Sequence, residues 1–276
     1  MKKTIWVLGA LSLLIFSPAT GSDAGIFPHV REKTETTDQT SFQKKALLIG
    51  INQYKNLQVL NGPVNDVKAM KDTLMSCYGF QEDGLKVLTD AQATKKNIKR
   101  TFLEWLIEDT KENDLVFFYY SGHSTQFAAG NIKISALLPS DTEPNDGQNI
   151  ICENELDDWL RQLKGRAVVV IIDSDFVRGG KSGSLYFPAR FIYMVAAQGI
   201  EGAWDSKFSI DKNHGAFTYG LLEGMKTLKN PSYQELFDYV CMLNERLKLP
   251  QNPQLNGNPN YFSQPFLGGK IIKATR

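Results

Sequence analysis

Four short apolar runs do most to limit the fold. They are Lys45-Ala46-Leu47-Leu48-Ile49-Gly50-Ile51, Leu115-Val116-Phe117-Phe118-Tyr119-Tyr120, Ala167-Val168-Val169-Val170-Ile171-Ile172, and the stretch 190–196. None alternates polar with apolar residues. Each therefore reads as a strand covered on both faces, which is the pattern of a parallel sheet with helices packed above and below it. Shorter runs at 85–88 and 134–138 predict two further strands.

Amphipathic stretches fill the intervals. Asn65-Asp66 stands before Val67, Met70, Leu74 and Met75, which recur at helical spacing up to Gly79, so a helix is expected there with that pair as its cap. The same spacing predicts helices over Asn97 to Ile107, Glu155 to Leu163, Gly215 to Met225 and Ser232 to Leu247. Beyond Pro250 the recurring Asn and Pro predict irregular chain, ending in an edge strand at Lys270 to Lys273. Strand and helix alternation gives an α/β fold class. The roughly 230 residues from Lys44 onward are enough to bury one full core.

The two ends bound the setting. Lys2 and Lys3 precede an apolar run from Ile5 to Phe16, and small residues follow it up to Ala24. At about a dozen residues this run falls short of the roughly 20 that span a bilayer, so residues 1–24 read as a secretory signal peptide. The source then reads as bacterial and the protein as exported, periplasmic or extracellular. Residues 25–43 read as a flexible leader, and 44–276 as the folded domain. Removal of residues 1–21 leaves 29 basic against 30 acidic residues, which gives no electrostatic case for nucleic acid. Cys77, Cys152 and Cys241 match no metal-ligand spacing and read as buried small side chains, a single disulfide being the other reading.

In an open α/β sheet, ligands and chemistry collect beyond the carboxyl ends of the strands. Two such ends carry reactive residues here: Ser121-Gly122-His123-Ser124 after the second long run, and Asp173-Ser174-Asp175-Phe176 after the third.

Taken with Lys45 to Asn52 and Gly215-Ala216-Phe217-Thr218-Tyr219, these segments resemble, in order, the caspase-like domain of metacaspases and peptidase C14 proteins. The resemblance covers about 44–226. It implies a three-layer α/β sandwich with a mostly parallel sheet, and a cysteine endopeptidase in which a histidine base meets a cysteine nucleophile. His123 takes the position of the base. The nucleophile position holds Asp175, and where the family has His-Ser-Gly this chain has Phe176-Val177-Arg178. The resemblance also places Asp173 in a pocket for a basic side chain, Ser124 at the oxyanion hole in place of a glycine, and Trp204 on the cleft wall.

A carboxylate attacking an amide gives a tetrahedral adduct that expels the carboxylate more readily than the amine, so the mixed anhydride does not form and Asp175 is a poor nucleophile. Ser174 is chemically better suited, but neighbours on an extended strand point to opposite sides, so it is expected to face away from His123. Asp173 and Asp175 together could activate a water, and Arg178 could pair with either. Asp141 resembles the residue before a calcium loop, but too few oxygens accompany it and it reads as a turn residue; no cofactor or metal is expected beyond that minor calcium reading. The leading expectation is an exported pseudoprotease that binds a peptide or protein bearing basic residues, alone or as a dimer with a caspase-like relative. The alternatives are an active endopeptidase cleaving after basic residues through another nucleophile, and a non-enzymatic flavodoxin-like or receiver-like domain.

Overall fold

The computed structural model describes residues 42–129, 132–143, 147–176, 190–196, 205–206, 213–249 and 251–271. The strands are β1 (Lys44–Gly50), β2 (Leu85–Thr89), β3 (Leu115–Ser121), β4 (Ser124–Ala129), β5 (Ile132–Leu137), β6 (Ile151–Cys152), β7 (Ala167–Asp173), β8 (Arg190–Val195), β9 (Asp205–Ser206), β10 (His214–Gly215) and β11 (Gln254–Gly257). The helices are α1 (Pro63–Tyr78), α2 (Lys95–Arg100), α3 (Glu153–Arg161), α4 (Ala216–Thr227) and α5 (Tyr233–Leu247). A wider π-helical turn, Thr101–Ile107, continues α2.

Among the described residues the main sheet runs in the order β11-β8-β7-β3-β1-β2. All its pairings are parallel except that of the edge strand β11 with β8. Strand alternation divides the core in two. Leu48, Tyr119, Ile171 and Met194 face Val67 and Leu74 of α1, Leu221 of α4 and Leu236 of α5. Leu47, Phe118, Val170 and Tyr193 face Ile98 of α2, Phe102 of the π-helical turn, and Leu156 and Trp159 of α3. This is the expected three-layer α/β sandwich.

One expected strand lies outside the main sheet, and two local expectations are corrected. The stretch 134–138 belongs to β5, which pairs antiparallel with β4 and β6 in a separate small sheet. A hairpin strand needs only one covered face, and Lys133 and Phe127 are indeed exposed. Among the described residues the late edge strand is β11; of the stretch expected as one, Lys270 and Ile271 are irregular, the Ile271 N–H capping α1 through Cys77 O at 2.8 Å, and 272–273 lie outside the described residues. The pair Asn65-Asp66 does not cap α1, since Pro63, with φ already fixed for a helix, starts it two residues earlier. The three cysteines are half-buried free thiols. No helix among the described residues is long and apolar enough to cross a membrane.

Candidate active site

Register brings the site together. Gly50 is paired with Ser121, and Ser121 with Asp173, so β1, β3 and β7 end level with one another. The segments just beyond those ends surround a cavity of about 270 Å³, lined by Gly122, His123 and Ser124 from one side and by Asp173, Ser174 and Asp175 from the other. Pro63 at the start of α1 and Gly215 close it further.

His123 is clamped through backbone and ring alike. Its N–H donates to the Tyr54 hydroxyl at 2.7 Å, and its carbonyl accepts from Tyr120 Oη at 2.7 Å and from Leu138 N at 3.0 Å. The imidazole packs against the Tyr54 ring at 4.8 Å between centroids. Its Nε2 lies 2.8 Å from the Gln58 carbonyl. A carbonyl can only accept, so Nε2 carries a proton there, and the tautomer this bond selects for the neutral ring has its lone pair on Nδ1, where a general base needs it. Gly122 is required beside it: a Cβ there would lie 2.5 Å from Tyr54 Oη and 3.0 Å from Tyr120 Oη. Burial pushes the Tyr54 and Tyr120 hydroxyls far above their ordinary range, so both stay protonated donors.

The opposite wall is acidic and largely committed to the fold. Asp173 Oδ2 accepts from the Thr218 N–H at 3.1 Å and from its Oγ1 at 2.6 Å, at the N-terminal turn of α4 where a negative charge is favoured. With its proton given to Asp173, Thr218 Oγ1 accepts from Tyr119 Oη at 2.6 Å. Gly215 is needed here too, because a Cβ would fall 2.1 Å from Asp173 Oδ2.

Behind this wall Asp66 is fully buried, with Oδ2 accepting from Ser121 Oγ at 2.9 Å, Oδ1 at 2.8 Å from His214 Nδ1, and the Gly215 N–H reaching both oxygens. Burial outweighs these partners and holds the Asp66 carboxyl above the usual carboxylate range.

Ser174 is where the structure departs most from expectation. It was expected to face away from His123; it is one of the residues around the cavity that His123 and Asp175 line, and its hydroxyl is buried. Strand β7 ends at Asp173, so the two-residue alternation that predicts opposite faces no longer applies at the bend that follows. Among the described residues the Ser174 hydroxyl is buried without a hydrogen-bond partner, as is that of Ser124. Asp141 is a turn residue whose Oδ1 accepts from the Lys95 N–H at 2.9 Å. Trp204 and Arg178 lie outside the described residues.

Comparison with known proteins decides the family. The caspase domain family model (peptidase C14) matches residues 43–263, well past the stretch to about 226 that the motifs cover. This chain belongs to the caspase domain family. Metacaspase-1 of Sclerotinia sclerotiorum is 44% identical over 90 residues, 30% of this chain and 21% of that protein. Metacaspase-6 of Arabidopsis thaliana is 34% identical over 148 residues, 50% of this chain and 38% of that one. Metacaspase-1 of Plasmodium falciparum is 35% identical over 169 residues, 55% of this chain and 27% of that one. These matches therefore span about a fifth to two-fifths of the curated relatives' length. A solved protein of Geobacter sulfurreducens shares the fold at a TM-score of 0.61 and 17% identity, covering 80% of this chain and 97% of that one. The structure titled pro-sf-caspase-1 shares it at 0.54 and 15%, covering 78% and 91%.

In a caspase domain these details sort into two groups. His123, Asp173, Ser124 and Asp175 were legible as positions in motifs. Asp66, His214, Thr218, Tyr54 and the Gln58 carbonyl were not assigned to the site. Asp66 carried a usable signal: it lies four residues before Met70 and eight before Leu74, on the apolar stripe of α1, where a carboxylate must find a partner. The Gln58 carbonyl carried none, since any residue supplies one.

Proposed function

We propose that this caspase-domain chain is an exported bacterial pseudoprotease that binds peptides with basic residues in the His123 cavity and does not cleave them. The observation that carries the proposal is the carboxylate of Asp175 in the cavity that His123 lines. The base has no thiol to deprotonate there, and the tetrahedral adduct of an aspartate on an amide would expel the carboxylate again faster than the amine. The acidic groups Asp173 and Asp175 favour a cationic side chain, by contacts that a guanidinium can make in two-pronged form. Export rests on Lys2, Lys3 and the short apolar run that follows them.

The test is incubation of the purified protein with fluorogenic peptides ending in Lys or Arg, with and without calcium, alongside calorimetry on uncleavable versions. Retention without turnover is expected. Turnover that disappears in a His123→Ala variant would overturn the proposal. The position of Ser174 on the cavity wall favours a second reading, a serine-based hydrolase; turnover abolished by Ser174→Ala but kept by Asp175→Asn would select it. Intact mass of the secreted protein checks export, and Met1 retained in a membrane fraction would defeat it.

A further inference from the structure

A second cavity, of about 520 Å³, is built from the same segments that hold His123. Its walls are apolar: Leu57 and Leu138, Phe127 of β4, and Ile150, with Thr125 and Thr142 between them. Leu57 directly precedes Gln58, whose carbonyl binds the His123 ring, and the Leu138 N–H binds the His123 carbonyl. The volume falls within the roughly 300 to 1,000 Å³ common for ligand pockets.

The walls are held in place. Lys55 N–H donates to Ser140 O at 3.1 Å, and the Glu143 carboxylate accepts from Lys55 Nζ and Asn56 Nδ2, each at 2.7 Å. The loop that carries Leu57 is thus tied to the turn that carries Thr142. A preformed pocket spares a ligand part of the ordering cost of binding. Phe127 remains 36% exposed at its edge.

Strand β4 links the two cavities. Ser124 lines the first, while Thr125 and Phe127, two residues apart and so on one face, line the second. Among the described residues β4 is the outer strand of its three-stranded sheet, which leaves one row of its backbone groups open to an added strand. We propose that the second cavity is a subsite for a bulky apolar side chain of the peptide held in the His123 cavity, the peptide running along the open edge of β4. This rests on the reading of the His123 cavity as a peptide cleft. It adds a specificity that the acidic wall cannot supply: one basic residue and, a few residues away, one large apolar residue.

Calorimetry on the full chain tests it, using acetylated hexapeptides ending in Arg in which Phe, Leu, Ser or Asp is scanned through the other positions. At one position Phe or Leu should bind about tenfold or more tightly than Ser, as burial of such a side chain allows. In Phe127→Ser and Thr125→Asp variants that preference should fall below about threefold. Peptides that bind with no positional preference, or a preference that survives both substitutions, would overturn the subsite. If no peptide binds, chemical shifts under millimolar N-acetylphenylalanine amide decide between the two readings. Perturbation confined to Thr125, Leu138 and Ile150 would keep the subsite and sink the cleft, and no perturbation there would sink both.

Discussion

The two walls of the His123 cavity depend on the fold to very different degrees. The histidine wall is woven into the core: Tyr120, which orients the His123 carbonyl, is itself fully buried, and Leu138, which binds the same carbonyl, packs in the same cluster. Removing a member of that network would leave a buried polar group without its partner, at a cost of roughly 1–3 kcal/mol. Asp175 sits on the bend after β7, beyond the end of the strand, whereas the bonds that hold His123 run to Tyr54, Gln58, Tyr120 and Leu138. Chemistry and stability are coupled at the base and separable at the nucleophile position. A scaffold of this kind can therefore hold a well-formed base opposite a residue that cannot use it.

The largest expected effect is a gain. If the base wall is as intact as its geometry says, Asp175→Cys should take hydrolysis of activated esters and fluorogenic basic peptides from undetectable to measurable. His123→Ala in that background should lower the rate by about 10²- to 10⁴-fold, the usual contribution of a positioned base. Steady-state kinetics on the two variants check it. A folded Asp175→Cys protein that alkylates normally yet hydrolyses nothing would show that the histidine wall only looks competent, and the contrast between the walls would collapse.

Next in size are the two glycines, one on each wall. Gly122→Ala places a methyl 2.5 Å from Tyr54 Oη, and Gly215→Ala places one 2.1 Å from Asp173 Oδ2. Each contact demands that a tightly bonded group move, so each variant should lose about 1–3 kcal/mol in denaturant unfolding. Gly215→Ala should also loosen the Asp173 to Thr218 bonds while leaving the His123 ring signals unchanged, and Gly122→Ala should do the reverse. Proton and nitrogen spectra of the histidine ring separate the two. Equal disturbance of that ring by both variants would mean that the walls form one unit.

What was legible in the sequence follows the same division. Strands buried on both faces announce themselves, so β1, β3, β7 and β8 were readable to within a residue or two, and so was the level sheet edge where the site lies. The shorter β2 and β5 were readable too, but β4 and β11 were not: they carry Thr, Gln and Asn among their apolar residues, and only pairing with β5 and β8 makes them strands. Motif order located His123 and Asp175. It could not orient Ser174, because that depends on where β7 stops, and it could not link Asp66 to His214, which stand 148 residues apart in the chain and meet only when α1 and β10 pack behind the site.

The smallest expected effect concerns that buried pair and reads the acidic wall from behind. The Asp66 carboxyl is held above the ordinary aspartate value of 3.8 chiefly by burial, against the opposing pull of His214, Gly215 and Ser121. As pH rises past 3.8 the unfolded chain releases this proton while the folded chain keeps it, so folding binds more protons than unfolding there. Stability contributed by Asp66 is then complete below 3.8 and declines as pH climbs through the raised folded value. Asp66→Asn keeps the shape and the Ser121 contact but cannot titrate. Its stability relative to the parent, measured by urea unfolding at a series of pH values, should therefore rise from about pH 4 upward and level off once the parent's Asp66 is ionised in both states. Other carboxylates cancel in the difference. A difference that falls with pH across that window would mean that His214 outweighs burial and Asp66 is held ionised. The acidic wall would then stand in front of a fixed ion pair, and not in front of a carboxyl that keeps its proton beyond its ordinary range.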